Sequence, residues 1–259
     1  VNQGLITETE FYDRMVGKIE GASQMNDTMS FTEMSANVLK KPYKDQYLNV
    51  YEKGALIAMC IDIEIREKSN GQRGILDLMQ KLTAEYGPKK PFTDDELFAK
   101  ITELTYPEVG AFLSKHVEGT TPISYEYYFE KVGVAKGKSK VAANPFMNGN
   151  EPVITVNQTT KELYIRPSVT LGTCLSKIGL QPEDTILAIN EVNYNLDTVY
   201  EMMTSVEEWK EGQTITFKIK RNGKEQTISG AVQITYNETE SYKVTNSAKQ
   251  TLNTAWLKG

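Results

Sequence analysis

The sequence predicts a chain of α and β parts in series, a helical region first and a small β-rich domain after it. Three observations carry that prediction. In the first half, apolar residues recur at spacings of three and four behind recognisable helix starts. A stretch rich in glycine, serine, asparagine and proline, 136–152, then breaks the pattern. Beyond it the apolar runs are short, and Asn222-Gly223 signals a two-residue hairpin, because both central residues of a type I′ turn need positive φ. The resulting division is 1–135 helical, 136–152 linker or irregular lead-in, 153–235 β-rich, and 236–259 a C-terminal tail.

Taken in order, Thr7-Glu8-Thr9-Glu10 is a capping box, and Phe11, Met15, Ile19 and Ala22 then share one helix face. Residues 48–68 read two ways. Gly54 through Ile61 is uncharged on all sides, as a buried helix would be, while Ile61-Asp62-Ile63-Glu64-Ile65-Arg66 alternates with the period of a strand. The segment's length, about twenty residues without proline, favours a helix. Ile75, Met79 and Leu82 mark another helix. Thr93 and Glu96 form a second capping box, flanked by Phe92 and Leu97 as a hydrophobic staple, with Leu97, Ile101 and Leu104 as the buried stripe. Pro107 suits the first turn of a further helix through Phe112 and Leu113. Strand-like runs follow at 153–156, 163–166, 185–190, 214–220 and 225–232, with a helix over 195–208.

Composition narrows the function. Across 259 residues, 39% hydrophobic and 24% charged content fits a folded globular chain with room for two domains. The net charge of -5 argues against nucleic acid as a partner, since neutralising phosphates needs a basic face. Lys136, Lys138 and Lys140 read as a solvated linker. The longest strongly apolar run, Ala55 to Ile61, is too short to span a bilayer, and no signal peptide is visible after Val1. The expected location is therefore periplasmic or cell-envelope if a signal precedes Val1, and cytoplasmic otherwise. Cys60 and Cys174 lie far apart without metal-ligand spacing, and Cys60 reads as a buried small hydrophobe. One histidine, His116, cannot supply a His-Glu-x-x-His zinc helix and reads as a helix-face residue.

The stretch from Leu171 to Asn190 resembles a PDZ domain of the bacterial type. It keeps Gly172, Gly179-Leu180, Pro182, Asp184 and the alternating strand that follows. Glu183 and Glu191 stand where that family commonly has glycine, and Thr173-Cys174-Leu175 replaces Ser-Pro-Ala. The resemblance implies that an extended peptide adds as a strand at a sheet edge. It places the groove between a strand at Leu163, Tyr164 and Ile165 and a helix carrying Val199, Met202 and Met203. Each of those apolar residues is also a core candidate.

A second resemblance covers nearly the whole chain. Gly4-Leu5-Ile6-Thr7, Tyr51-Glu52-Lys53-Gly54-Ala55, Phe92-Thr93-Asp94-Asp95-Glu96-Leu97, Val117-Glu118-Gly119-Thr120 and Leu252-Asn253-Thr254-Ala255-Trp256 occur in the order seen in the M61 glycyl aminopeptidases, which are gluzincins. The resemblance implies the helical end of a gluzincin catalytic domain followed by a PDZ-like domain. It implies a parent that removes small N-terminal residues from peptide substrates, using zinc held by two histidines and a glutamate. Tyr51 would then be the hydrogen-bond donor to the oxyanion. No position here matches the zinc ligands, so they are expected before Val1, and this chain alone is expected to hold no cofactor. Glu52 and Lys53 are read as ion-pair or packing residues. An exposed apolar face where the missing N-terminal part packs predicts self-association. The alternative is a non-enzymatic peptide-binding or scaffold module built on a peptidase remnant. A third reading gives the PDZ-like domain a supporting role with an occluded groove.

Overall fold

In the computed structural model, which describes residues 1–87 and 89–259, the chain forms two units. The first is Val1–Ser139 together with Thr239–Gly259, and the second is Lys140–Glu238. In the first lie α1 (Glu8–Ser23), α2 (Phe31–Ala36), α3 (Asn49–Lys68), α4 (Ile75–Glu85), α5 (Asp94–Leu104), α6 (Pro107–Leu113) and α7 (Tyr125–Lys131). A strand β1 (Val134–Ala142) follows. The second unit carries β2 (Met147–Asn148), β3 (Glu151–Pro152), β4 (Ile154–Val156), β5 (Leu163–Ile165), α8 (Thr173–Ile178), β6 (Thr185–Ile189), β7 (Val192–Asn193), α9 (Val199–Ser205), β8 (Thr214–Arg221) and β9 (Lys224–Ala231). The chain closes with β10 (Tyr236–Val244), which pairs with β1, and α10 (Gln250–Lys258).

The ambiguous segment is one helix, and its surroundings explain the strand-like alternation. α3 is packed by α1, α4, α6, α7 and α10. It is therefore buried all round from Met59 to Arg66, including its charged residues. Those charges are compensated rather than solvated, as buried charges must be. Arg66 Nε bonds both Asp62 oxygens at 3.2 Å, and Glu64 pairs with Lys131 at 3.0 Å. Asp62 also accepts the Ile75 amide at 2.6 Å, so a side chain of α3 caps the start of α4. A Cβ on Gly74 would lie 2.3 Å from the Arg66 guanidinium and 2.5 Å from Asp62 Oδ1, so a side chain there would displace that pair.

The capping box at Thr7 and Glu10 forms with both bonds in place. The one expected at Thr93 does not. Thr93 takes the N-cap position, but its hydroxyl makes no capping bond. Asp94, Asp95 and Glu96 in the first turn complement the helix dipole instead. Phe92 is exposed and packs edge-on against Tyr86. In α4 the buried residue is Leu78, and Met79 faces solvent.

Two stretches differ from the expected division. Residues 136–152 are not irregular: they hold most of β1 and the β2–β3 hairpin. Residues 236–259 are not a tail. Tyr242 stacks on Phe129 at 4.1 Å, and Trp256 packs against Phe11, Tyr12 and Phe129, so the C-terminus completes the first core. Asp13 of α1 accepts hydrogen bonds from the buried Ser139 and Ser241 hydroxyls at 2.8 and 2.5 Å, tying β1 and β10 to α1.

Besides the β2–β3 hairpin, the second unit holds one larger antiparallel sheet in the order β4-β5-β6-β8-β9, with β7 paired to β6. β8 and β9 turn at Asn222-Gly223, whose φ values of 50° and 75° match the type I′ reading. Glu183 and Glu191 both hold φ near 70°, the left-handed region that glycine fills at least cost. Within the stretch from Leu171 to Leu180, Thr173–Ile178 forms the short helix α8, and Gly179 at φ 102° ends it. Asp184 fixes the loop after it: Arg221 grips both carboxylate oxygens at 2.7 and 2.6 Å, and the Gln181 amide donates a third bond at 2.8 Å.

Candidate functional site

The strand expected to border a groove is not at an edge. β5 lies between β4 and β6, and Leu163 and Ile165 point into the core, so their main chain has no pairing capacity left. The sequence shows that residues 163–166 form a strand, but strand order depends on distant partners. The free edge belongs to β4. Hydrogen bonds from the Arg166 amide to the Val153 carbonyl and from the Asn157 amide to the Glu162 carbonyl bracket the β4–β5 ladder, at 2.9 Å each. In an antiparallel pair the bonding residues alternate, so Ile154 and Val156 turn their main chain away from β5. Among the described residues no strand pairs with that side. The Ile154 carbonyl accepts from Arg166 Nε at 3.2 Å. The Ile154 amide and both groups of Val156 remain for an added strand.

Helix α9 is tied near both ends to the segments that flank β4. In the 3-10 turn Leu196–Thr198 that leads into it, the Leu196 amide bonds the Lys161 carbonyl in the β4–β5 turn at 2.9 Å. At its end, Asn144 Nδ2 donates to the Met203 carbonyl at 2.8 Å. Asn144 also accepts the Phe146 amide, and the Phe146 carbonyl accepts the Val153 amide just ahead of β4, at 2.9 and 2.8 Å. On α9, Met202 is buried in the core, whereas Val199 and Met203, four residues apart on one face, are half-buried. Tyr164 is half-buried in the middle of β5. Sequence reasoning missed Ile154 and Val156 as the edge and Asn144 and Phe146 as its flank. The apolar run at 153–156 was the available signal for the first pair, and nothing in the turn-rich stretch signalled the second.

Tyr51 occupies the first turn of α3, is 55% exposed, and places its hydroxyl 3.1 Å from that of Tyr47. That bond raises the Tyr47 phenol above its ordinary pKa. Glu52 pairs with Lys18 at 3.1 Å, and buried Lys53 pairs with Asp27. A Cβ on Gly54 would sit 3.6 Å from the Phe31 ring, an ordinary contact, so Gly54 enforces no close approach. His116 is buried rather than on an open helix face. Its Nδ1 lies 2.7 Å from the Thr121 carbonyl, in a π-helical turn over Ser114–Glu118. Cys60 is buried, and burial pushes its thiol pKa well up.

Among the described residues no cluster of three or more His, Cys, Asp or Glu side chains could hold a metal ion. The residues present do not fit a catalytic zinc, which needs three protein ligands, and no step is assigned to one. Among the described residues no helix is long and apolar enough to cross a membrane.

The second unit is thus a small antiparallel sheet with an open edge at β4 and a helix tied to the segments beside it. Residues 148–232 match the PDZ domain family. No curated protein matches the chain. Among solved structures, an aminopeptidase N family protein from Idiomarina loihiensis shares the fold over 98% of this chain, with a TM-score of 0.50 and 18% identity. The match spans 45% of that protein, so this chain covers about half of its length. An HtrA-type protease solved with a decapeptide matches over 37% of this chain and 30% of its own, with a TM-score of 0.30 and 17% identity.

Proposed function

We propose that this chain is a peptide-binding protein: a PDZ-like domain joined to a helical unit of aminopeptidase-type fold, with no metal-holding cluster among the described residues. The observation that supports this reading most is the unpaired edge of β4, whose flanking segments are tied to α9. An extended peptide bonds to the Ile154 amide and to both main-chain groups of Val156, and its side chains meet Val199 and Met203. Val156→Pro tests it. The proline removes an amide that faces away from the sheet, which an edge strand tolerates. One lost hydrogen bond is worth about 1 kcal/mol, and the ring obstructs the added strand as well. Affinity for library-selected peptides is expected to fall at least tenfold while the fold is retained. Unchanged affinity refutes the reading.

A second reading makes the chain the C-terminal part of an M61-type zinc aminopeptidase acting on small N-terminal residues. Two observations favour it: the fold shared with the aminopeptidase N family protein over 98% of this chain, and the exposed Tyr51 hydroxyl at the head of α3. Here Tyr51 donates to the oxyanion. In the intact gene product assayed on glycine-terminated peptides, Tyr51→Phe would lower kcat about 100-fold with KM little changed. An unaltered kcat removes Tyr51 from the chemistry.

A further inference from the structure

The head of the β4 edge is already occupied by the chain itself. A groove that selects a chain terminus needs a nest of free backbone amides there to hold the carboxylate. Position by position, those amides are absent or spent. Pro152 has none. The Val153 amide is bonded to the Phe146 carbonyl at 2.8 Å. Upstream, the Phe146 amide goes to Asn144 Oδ1 and the Met147 amide to the Asn144 carbonyl, at 2.9 Å each. At the head of β4 itself the Ile154 amide is left, and one donor is not a nest; the Gly149 and Asn150 amides lie at the tip of the β2–β3 hairpin.

The apolar space beside that head is filled as well. Phe146 is 0% exposed and sits edge-on to Trp209 and Phe217 at 6.1 and 6.4 Å. Asn144 fastens this strap to the end of α9 through the Met203 carbonyl. Arg166 is the cation at the head of β4. Its Nε is engaged by the Ile154 carbonyl, and Glu151 lines the same open cleft of about 510 Å³ as Arg166, so a carboxylate offsets the cation there.

We infer that the second unit reads an internal extended segment of its partner and not a free C-terminus, with Phe146 and its strap as the feature that sets this preference. The inference rests on the peptide-binding reading above. Its test presents random decapeptides to the full chain in two phage libraries, one ending in a free carboxylate and one flanked on both sides by fixed sequence. The strongest sequences are then synthesised with a carboxylate or an amide terminus. Enrichment from the flanked library, with carboxylate and amide Kd values within threefold, is the expected result. Enrichment from the free-end library alone, or a carboxylate preference above tenfold, overturns the inference and leaves peptide binding standing. Enrichment from neither overturns both.

Discussion

Asp184 offers a perturbation whose size follows from the contacts it makes. Its side chain is fully enclosed, accepts two bonds from Arg221 and one from the Gln181 amide, and joins β6 to β8. Asp184→Ala removes all three. It leaves the Arg221 guanidinium with only the Gly179 carbonyl, at 2.8 Å, and the Gln181 amide without its partner. Breaking a buried pair costs about 3–5 kcal/mol. The Arg221 side chain is 24% exposed, so water recovers part of that loss and about 3 kcal/mol is the working figure. Amide exchange measured by mass spectrometry reads this locally. Where exchange follows opening free energy, 3 kcal/mol is roughly a 150-fold faster exchange for β6 and β8 amides. Amides of α3, in the other unit, serve as the internal reference and should not change. Acceleration below about tenfold, which is roughly 1.4 kcal/mol, would show that the pair does not hold the sheet and refute the reasoning.

Two further outcomes follow from the same structure. Glu183→Gly relieves a left-handed backbone at φ 70°, worth about 1–2 kcal/mol, against a glycine entropy cost of about 0.5–1 kcal/mol. A rise of about 2–4 °C in the melting temperature of the second unit is expected, and a fall would mean that Glu183 makes a compensating contact. Leu39, Tyr47, Leu48 and Tyr51 are exposed apolar side chains within a stretch of thirteen residues, Leu39 at 90%. Sedimentation velocity should show concentration-dependent association that Leu39→Lys with Leu48→Lys abolishes. Monomeric wild-type protein at high concentration contradicts it.

What the sequence made legible was local. The capping box at Thr7, the Asn222-Gly223 turn and the stripe of α1 depend on neighbours a few residues away, and they appear as read. Glu183 and Glu191 stand where glycine is common in the resembling family, and both keep a left-handed backbone that glutamate itself does not announce. Long-range arrangement was not legible. The alternation at residues 61–66 reflects a helix enclosed on every side, with charges matched by partners as distant as Lys131. The C-terminal residues joined the first core because Tyr242 and Trp256 complete its aromatic cluster, which no local pattern announces. The candidate site suffered in the same way. Leu163 and Ile165 were legible as strand residues, but whether their strand is interior depends on β4, a three-residue strand in a turn-rich neighbourhood.

Binding at the β4 edge is tested most directly by where a peptide lands. A titration of the isotopically labelled chain with a library-selected peptide, followed by amide chemical shifts, decides it. The prediction is that the largest changes fall on Ile154 and Val156 of β4 and on Val199 and Met203 of α9, and that Val156→Pro removes them. Changes confined to other surfaces, or their persistence in Val156→Pro, would contradict binding at the β4 edge.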